Sequence, residues 1–284
     1  YLDMKKKIIL GLAMTMVSLL GNAADNLPAL RVEGKNLVDA NGKTVVLHGV
    51  MDTPNRYFNG WRWQQWKADY SEADIKPCLE YFSKQFSAIT DKTQGAYCTV
   101  FRLHMDPCWT NDPSKKAENE ADISAFSMAR YRLYLQKLYI PLIKDAIAHG
   151  LYVIVRPPGV CPGDISVGDK YNRYLKSIWK AFAADEYIRQ NSGIISIELA
   201  NEPVRVHLGD GSNSDKALHD YFQPVVDEIR AQGFKGIIWV PGAGYQSQYQ
   251  NYDKYPITDS DDNFSYAVHV YSGWYENMTD RNCN

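Results

Sequence analysis

The sequence predicts an α/β fold built on parallel strands, from two observations. Short apolar runs bounded by turn signals alternate with helical stretches, the pattern of strands buried on both faces between helices. In each repeat the polar and aromatic residues cluster just after the apolar run, as in Arg102-Leu103-His104, Arg156-Pro157-Pro158, Asn201-Glu202-Pro203 and His269-Val270-Tyr271. Regular βαβα alternation fits either an open doubly wound sheet or a closed barrel. No Gly-x-Gly-x-x-Gly follows the first strand, which weakens the dinucleotide-binding option. Both architectures place chemistry at the carboxyl ends of strands, so the clustering alone does not choose between them.

The elements follow in order. Leu30–Asp39 and Lys43–Leu47 flank Asn41-Gly42, a hairpin signal because Asn and Gly accept the positive φ of tight turns. The second run continues as the first sheet strand through Val45–Val50. Ser71–Ile89 reads as a helix with Ser71 as N-cap and Asp74 three residues on, a capping-box pattern. Ala96–Leu103 is a strand, and Ile123–Ala148 a long helical stretch that Pro141 kinks or divides. Leu151–Val155 is a strand, Tyr171–Gln190 a helix and Ile194–Ala200 a strand. Asp215–Gln232 is a helix closed by Gly233, and Gly236–Val240 and Phe264–Tyr271 are the last two strands. That makes six β/α repeats after the hairpin.

Before the hairpin, Met4-Lys5-Lys6-Lys7 leads into the apolar run Ile8–Leu20 and the small residues Gly21–Ala24. A basic start, a short apolar run and small residues describe a secretory signal peptide, so residues 1–24 are read as a leader, with Tyr1, Leu2 and Asp3 as read-through before the start codon. Residues 25–284 are then the folded portion of a secreted or periplasmic protein. No later apolar run is long enough to span a membrane. The net charge of −2 over 284 residues argues against a nucleic-acid partner. The five cysteines match no metal-binding spacing. Cys108 and Cys161 lie just past strands on what should be one face, where a disulfide between them is conceivable. The sequence implies neither a metal nor an organic cofactor, and it is silent on oligomeric state.

The most informative segment is Ile194-Ile195-Ser196-Ile197-Glu198-Leu199-Ala200-Asn201-Glu202-Pro203. Alternation along a strand points Glu198, Ala200 and Glu202 to one face. Glu202, at the carboxyl end, is within reach of a ligand. Glu198, one layer deeper, should be buried and paired. A general acid needs its pKa raised by burial or a negative neighbour, and Asn201 beside it is placed to hydrogen-bond a hydroxyl.

With Asn201-Glu202-Pro203 at the fourth strand, Arg102 ending Thr99-Val100-Phe101-Arg102 at the second and His269-Val270-Tyr271 at the sixth, the chain resembles glycoside hydrolase family 5, the retaining barrel enzymes that include cellulases and mannanases. The resemblance implies a (β/α)₈ TIM barrel, represented here by about six β/α units behind an N-terminal β-hairpin. It implies a retaining endo-β-1,4-glycosidase acting on plant cell-wall β-glucan, with β-mannanase, xyloglucanase or a non-catalytic polysaccharide-binding barrel as alternatives. By the same resemblance Glu202 is the acid/base and Arg102 pairs with the nucleophile carboxylate. His269 and Tyr271 line the site. A structural salt bridge for Arg102, a satisfied core histidine for His269 and a packed aromatic for Tyr271 remain alternatives. The family's Asp-x-His pattern after the third strand is missing, replaced by Val155-Arg156-Pro157-Pro158-Gly159; His104 is a candidate to compensate. The family nucleophile follows the seventh strand, so it is expected to lie outside this chain, and Glu276 is not assigned to that role. Sugar-stacking platforms are expected at Trp61, Trp63 and Trp66, at Trp109 and at Trp274, with Trp179 and Trp239 in the core.

Overall fold

The computed structural model describes residues 27–55 and 70–271. The expected leader, Trp61, Trp63, Trp66, Trp274, Glu276 and Cys283 lie outside the described residues.

The chain opens with β1 (Arg31–Glu33) and β2 (Asn36–Val38), antiparallel in the register Arg31↔Val38. Their turn falls at Gly34-Lys35, earlier than predicted. Asn41-Gly42 does turn the chain, with Gly42 at φ 77° and the Asp39 N–H donating to the Lys43 carbonyl. The returning run, however, pairs back only through a Val38↔Thr44 bridge and the Val45 N–H to the Leu37 carbonyl.

The following elements are β3 (Gly49–Asp52), α1 (Ile75–Thr90), β4 (Val100–His104), the single turn α2 (Pro107–Thr110), α3 (Met128–Tyr134), α4 (Ile140–Ala148) and β5 (Tyr152–Arg156). After them come β6 (Asp164–Ser166), α5 (Lys170–Ala183), α6 (Glu186–Gln190), β7 (Ile195–Glu198), β8 (Arg205–His207), α7 (Ala217–Ala231), β9 (Ile238–Pro241) and β10 (Phe264–Ala267). Two predicted helices are divided. Between α3 and α4 the turn Leu135–Tyr139 is a π-helix and Pro141 sits in the first turn of α4; proline lacks the N–H that an unbroken ladder would need. The stretch predicted over Tyr171–Gln190 breaks before Asp185, whose carboxylate caps α6 by accepting from the Ile188 N–H.

Six strands form one parallel sheet in the order β3-β4-β5-β7-β9-β10. Sequential order without reversal has no switch point, which separates it from a doubly wound sheet. Right-handed crossovers then put every helix on the same face, the layout of a (β/α)₈ barrel over six of its units. Period-2 alternation sorts the strand side chains. Phe101, Leu103, Val153, Val155, Ile195, Ile197, Ile238 and Val240 join the core beneath the helices. Their neighbours on the opposite face are apolar at the amino ends, where Val100 and Tyr152 pack with Leu30 and Ile237, and polar at the carboxyl ends. The hairpin segment covers the apolar end. The Leu30 N–H donates to the Gly193 carbonyl at 2.8 Å, the Val32 N–H to Asn263 Oδ1 at 2.9 Å, and the Tyr152 hydroxyl to the Pro28 carbonyl at 2.8 Å.

A second parallel pair, β6 with β8, was not predicted. It joins the loops after β5 and β7 and is fastened by Arg205, whose Nε and Nη2 donate to the two Asp164 oxygens at 2.5 and 2.6 Å. Cys108 and Cys161, whose pairing the sequence left open, are not bridged: they and Cys78 and Cys98 are thiols. Among the described residues no helix is long and apolar enough to cross a membrane.

Candidate active site

The polar ends of the strands converge. Arg102 projects from β4 and Glu198 from β7, and they form a two-pronged pair: Nε donates to Oε2 and Nη2 to Oε1, both at 2.6 Å. The Glu198 side chain is 3% exposed. Burial acts to raise its pKa, but hydrogen bonds from Arg102 and His269, with the charges of Arg102 and Arg156, outweigh burial and hold the carboxyl at about 2. Glu198 is therefore buried and paired, as its depth on the strand predicted. Within the described residues Arg102 Nε and Nη2 are both engaged by Glu198; the nucleophile that the resemblance pairs with Arg102 lies outside them.

Behind this pair lies a second guanidinium. Arg156, at the end of β5, is buried; its Nη1 donates to Asn201 Oδ1 at 2.5 Å and its Nη2 reaches His104 Nε2 at 2.9 Å and the Gly159 carbonyl at 3.3 Å. Burial and the like charge of Arg102 bring Arg156 down to about 10. His104 is 4% exposed. Burial, then the charges of Arg156 and Arg102, hold its pKa well below the ordinary histidine value, so it is a neutral imidazole accepting from Arg156. The candidate to compensate for the missing third-strand histidine on the substrate side is thus buried beneath Arg156 and supports it.

Asn201 is also buried, and its Oδ1 accepts from Arg102 Nη2 at 3.1 Å as well as from Arg156. Its Nδ2 makes no hydrogen bond among the described residues. Glu202 follows in an unusual backbone. β7 ends at Glu198, so strand alternation does not reach position 202; the chain bends at Asn201 and Glu202 adopts φ 57°, a left-handed conformation rare for a side-chain-bearing residue. Its side chain is 27% exposed. Oε1 lies 2.8 Å from His269 Nδ1 and accepts from the Tyr271 hydroxyl at 3.3 Å; Oε2 has no partner among the described residues. The His269 ring also faces the buried pair, with Nε2 3.4 Å from Arg102 Nη2 and 3.6 Å from Glu198 Oε1. One imidazole thus touches both carboxyls and the guanidinium. Beside Glu202 opens a cleft of about 880 Å³, lined by Val204, Arg205, Tyr245, Gln248 and neighbouring residues.

Trp109 is the clearest correction. Expected as a sugar platform, it is fully buried, with its indole N–H donating to the Pro54 carbonyl and its ring packed against Tyr70 and Tyr134 at centroid distances of 4.7 and 4.9 Å. The short helix α2 turns it inward rather than leaving it on an open loop. Trp179 is buried as predicted, and Trp239 packs with the apolar cluster at the hairpin end.

Residues 78–284 match the family profile described as cellulase (glycosyl hydrolase family 5). The chain belongs to glycosyl hydrolase family 5. The fold of this family 5 chain is shared by solved structures at low identity. A β-glucanase from Saccharophagus degradans superposes with a TM-score of 0.58 at 17% identity, covering 90% of this chain and 66% of that one. The catalytic domain of a Thermobifida fusca endoglucanase gives 0.53 at 21% identity, covering 88% and 67%. A Thermomonospora fusca β-mannanase, solved as a mannohexaose complex, gives 0.52 at 16% identity, covering 86% and 67%. The family 5 chain thus spans about two thirds of the length of these structures. No curated protein sequence matches it.

Two residues of the cluster escaped the sequence reading. Arg156 was noted only as part of a polar run, because nothing in Arg-Pro-Pro distinguishes a buried guanidinium from a loop. Gln246 carried a weak signal, the Gly242-Ala243-Gly244 turn just after β9.

Proposed function

We propose that the full-length protein is a retaining endo-β-1,4-glucan hydrolase, with Glu202 as its acid/base carboxyl. The observation that carries this reading is the Glu202 carboxyl itself. One oxygen is fixed by His269 and Tyr271, the other has no described partner, and the group borders an open cleft. A carboxyl so held can protonate a glycosidic oxygen and then take a proton from the water that completes the reaction. Retention needs a second carboxylate roughly 5–5.5 Å from the first. Glu198 is unsuited to be that nucleophile, being 3% exposed with both oxygens taken by Arg102. Its role is electrostatic, holding Arg102 beside Asn201 and His269. The nucleophile is assigned to a glutamate outside the described residues. Asn201 Nδ2 is the donor we assign to a sugar hydroxyl. Tyr245, 47% exposed on the wall of the cleft, offers a ring face for a sugar. We read residues 1–24 as an export signal, which places the enzyme outside the cytoplasm with its polymer.

The test is hydrolysis by the full-length protein and its Glu202→Gln variant of carboxymethyl-cellulose, glucomannan and xyloglucan. The reading expects the wild type to act as an endo-enzyme with its highest rate on the unbranched glucan. It expects the variant to lose about 10³-fold or more while still binding polymer. Preference for glucomannan would move the substrate to mannan. A Glu202→Gln protein hydrolysing at the wild-type rate would remove the catalytic assignment.

A further inference from the structure

Between β9 and β10 the chain makes a turn of uncommon conformation. Gly244, Tyr245 and Gln246 all have positive φ, at 58°, 59° and 61°. Consecutive left-handed residues are rare because each side chain crowds its own backbone. Such a run persists only where the surroundings over-determine it. Here they do. The Ala243 and Gln248 backbones exchange two hydrogen bonds of 3.1 Å across the turn. Gly244 takes its left-handed φ of 58° without the strain a side chain would bring.

The turn is laid against the segment that carries Glu202. The Gly244 N–H donates to the Val204 carbonyl at 3.0 Å and the Tyr245 N–H to the Pro203 carbonyl at 2.9 Å. The next contact is made by a side chain. Gln246 Oε1 accepts from the Glu202 N–H at 2.6 Å. Its Nε2 donates to the Ala267 carbonyl at 2.9 Å and faces Glu198 Oε1 at 3.3 Å. Its own carbonyl accepts from the His269 N–H at 3.0 Å. Gln246 is completely buried and belongs to none of the strands whose ends supply the carboxyls. One residue therefore touches the backbone of Glu202, the backbone of its partner His269, and the buried carboxylate of Glu198.

We propose that Gln246 is a positioning residue for acid catalysis: its side-chain amide sets the left-handed backbone of Glu202, and its carbonyl sets His269, so that the Glu202 carboxyl and the imidazole meet in one geometry. The proposal rests on the reading of Glu202 as the acid. Gln246 does not touch the reacting atoms. Without its amide the Glu202 N–H loses its acceptor inside the protein, and the backbone is free to leave a conformation that a non-glycine residue disfavours. The Glu202 carboxyl then swings away from the bond to be protonated.

Leaving-group chemistry tests this. A cello-oligosaccharide needs a proton delivered to its departing sugar oxygen, whereas a 2,4-dinitrophenyl β-cellobioside departs without one. In the full-length enzyme Gln246→Leu should lower kcat/KM, which reports glycosylation of the enzyme, about 10- to 100-fold on cellotetraose and less than about 3-fold on the dinitrophenyl substrate. Gln246→Asn, which keeps the amide but withdraws it by one methylene, should show the same selectivity. Glu202→Gln is measured alongside. Equal losses on both substrates, no loss on either, or Gln246 variants that do not fold would give Gln246 a structural role only and overturn the proposal. If Glu202→Gln itself shows no selectivity for the oligosaccharide, the acid assignment fails and the proposal falls with it; selectivity in Glu202→Gln but not in Gln246→Leu overturns the proposal alone.

Discussion

Arg102 and Glu198, 96 positions apart in the chain, meet through two hydrogen bonds of 2.6 Å at the carboxyl ends of β4 and β7. The pair spans the intervening strand β5 and forms the floor on which Asn201 and His269 rest. Its geometry is that of a guanidinium fork on a carboxylate, which an ammonium cannot reproduce. Arg102→Lys should therefore destabilise the protein, by about 3 kcal/mol, since a buried carboxylate loses its matched partner. Urea unfolding of the two proteins measures this, and a loss below about 1 kcal/mol would show that lysine serves equally.

The same pair should be visible in acid. Glu198 titrates at about 2 when folded, against an ordinary value of 4.5. On acidification the unfolded chain takes up the proton first. The stability from this group is complete above about pH 4.5 and drains away as pH falls towards 2. Glu198→Gln should flatten the slope of unfolding free energy against pH in that interval, whatever it does to the total. An unchanged slope would assign the acid sensitivity to other carboxyls.

His104 sets a second, earlier window. Its folded pKa lies well below the ordinary 6.5 because it is buried beside Arg156 and Arg102. As pH drops through about 6.5 the unfolded chain protonates while the folded one does not, so stability should begin to fall there. His104→Gln, which keeps an acceptor for Arg156, should abolish the part of the slope between about pH 6.5 and 5. Following the thermal midpoint across that range in both proteins decides it.

Trp109 should behave as core. Trp109→Ala removes a fully buried indole packed on Tyr70 and Tyr134 and should cost about 3–5 kcal/mol of stability. Trp109→Phe should keep most of the packing and leave KM for oligosaccharides within about 2-fold. A selective rise in KM with unchanged stability would restore it to the substrate.

Tyr271 tests the tuning of Glu202. Its hydroxyl donates to Oε1 at 3.3 Å, a long bond on a half-exposed ring, so Tyr271→Phe should reduce kcat/KM by about 3- to 10-fold. His269→Ala, which removes the contact at 2.8 Å, should cost more. If the phenylalanine variant were the more damaged of the two, the hydroxyl would have a role beyond orienting the carboxyl.

The apolar runs located the four inner strands, because buried parallel strands are continuous apolar segments; the first edge strand, predicted over Val45–Val50, lies later, at Gly49–Asp52, where Val50 and Met51 are exposed. The polar ends of the strands pointed correctly to one face. Legibility failed where conformation departs from the regular lattice. Strand alternation was carried past Glu198 to Glu202, although the backbone there is left-handed and the convergence is set by a neighbouring turn. Trp109 looked like a loop residue because the four-residue helix that buries it has no periodicity to read. Arg156 and Gln246 remained hidden because a buried polar side chain is defined by its partners, which come from strands far away in sequence.

The cover over the apolar end of the barrel has a temporal consequence. Val32 is held by Asn263, 231 positions later, at the start of β10, and Leu30 by Gly193. The hairpin segment therefore completes its seat only after residue 263, at the start of the sixth strand, has been made. Until then the nascent chain carries a waiting lid, and its apolar lower layer stays open to whatever chaperone or neighbour meets it first.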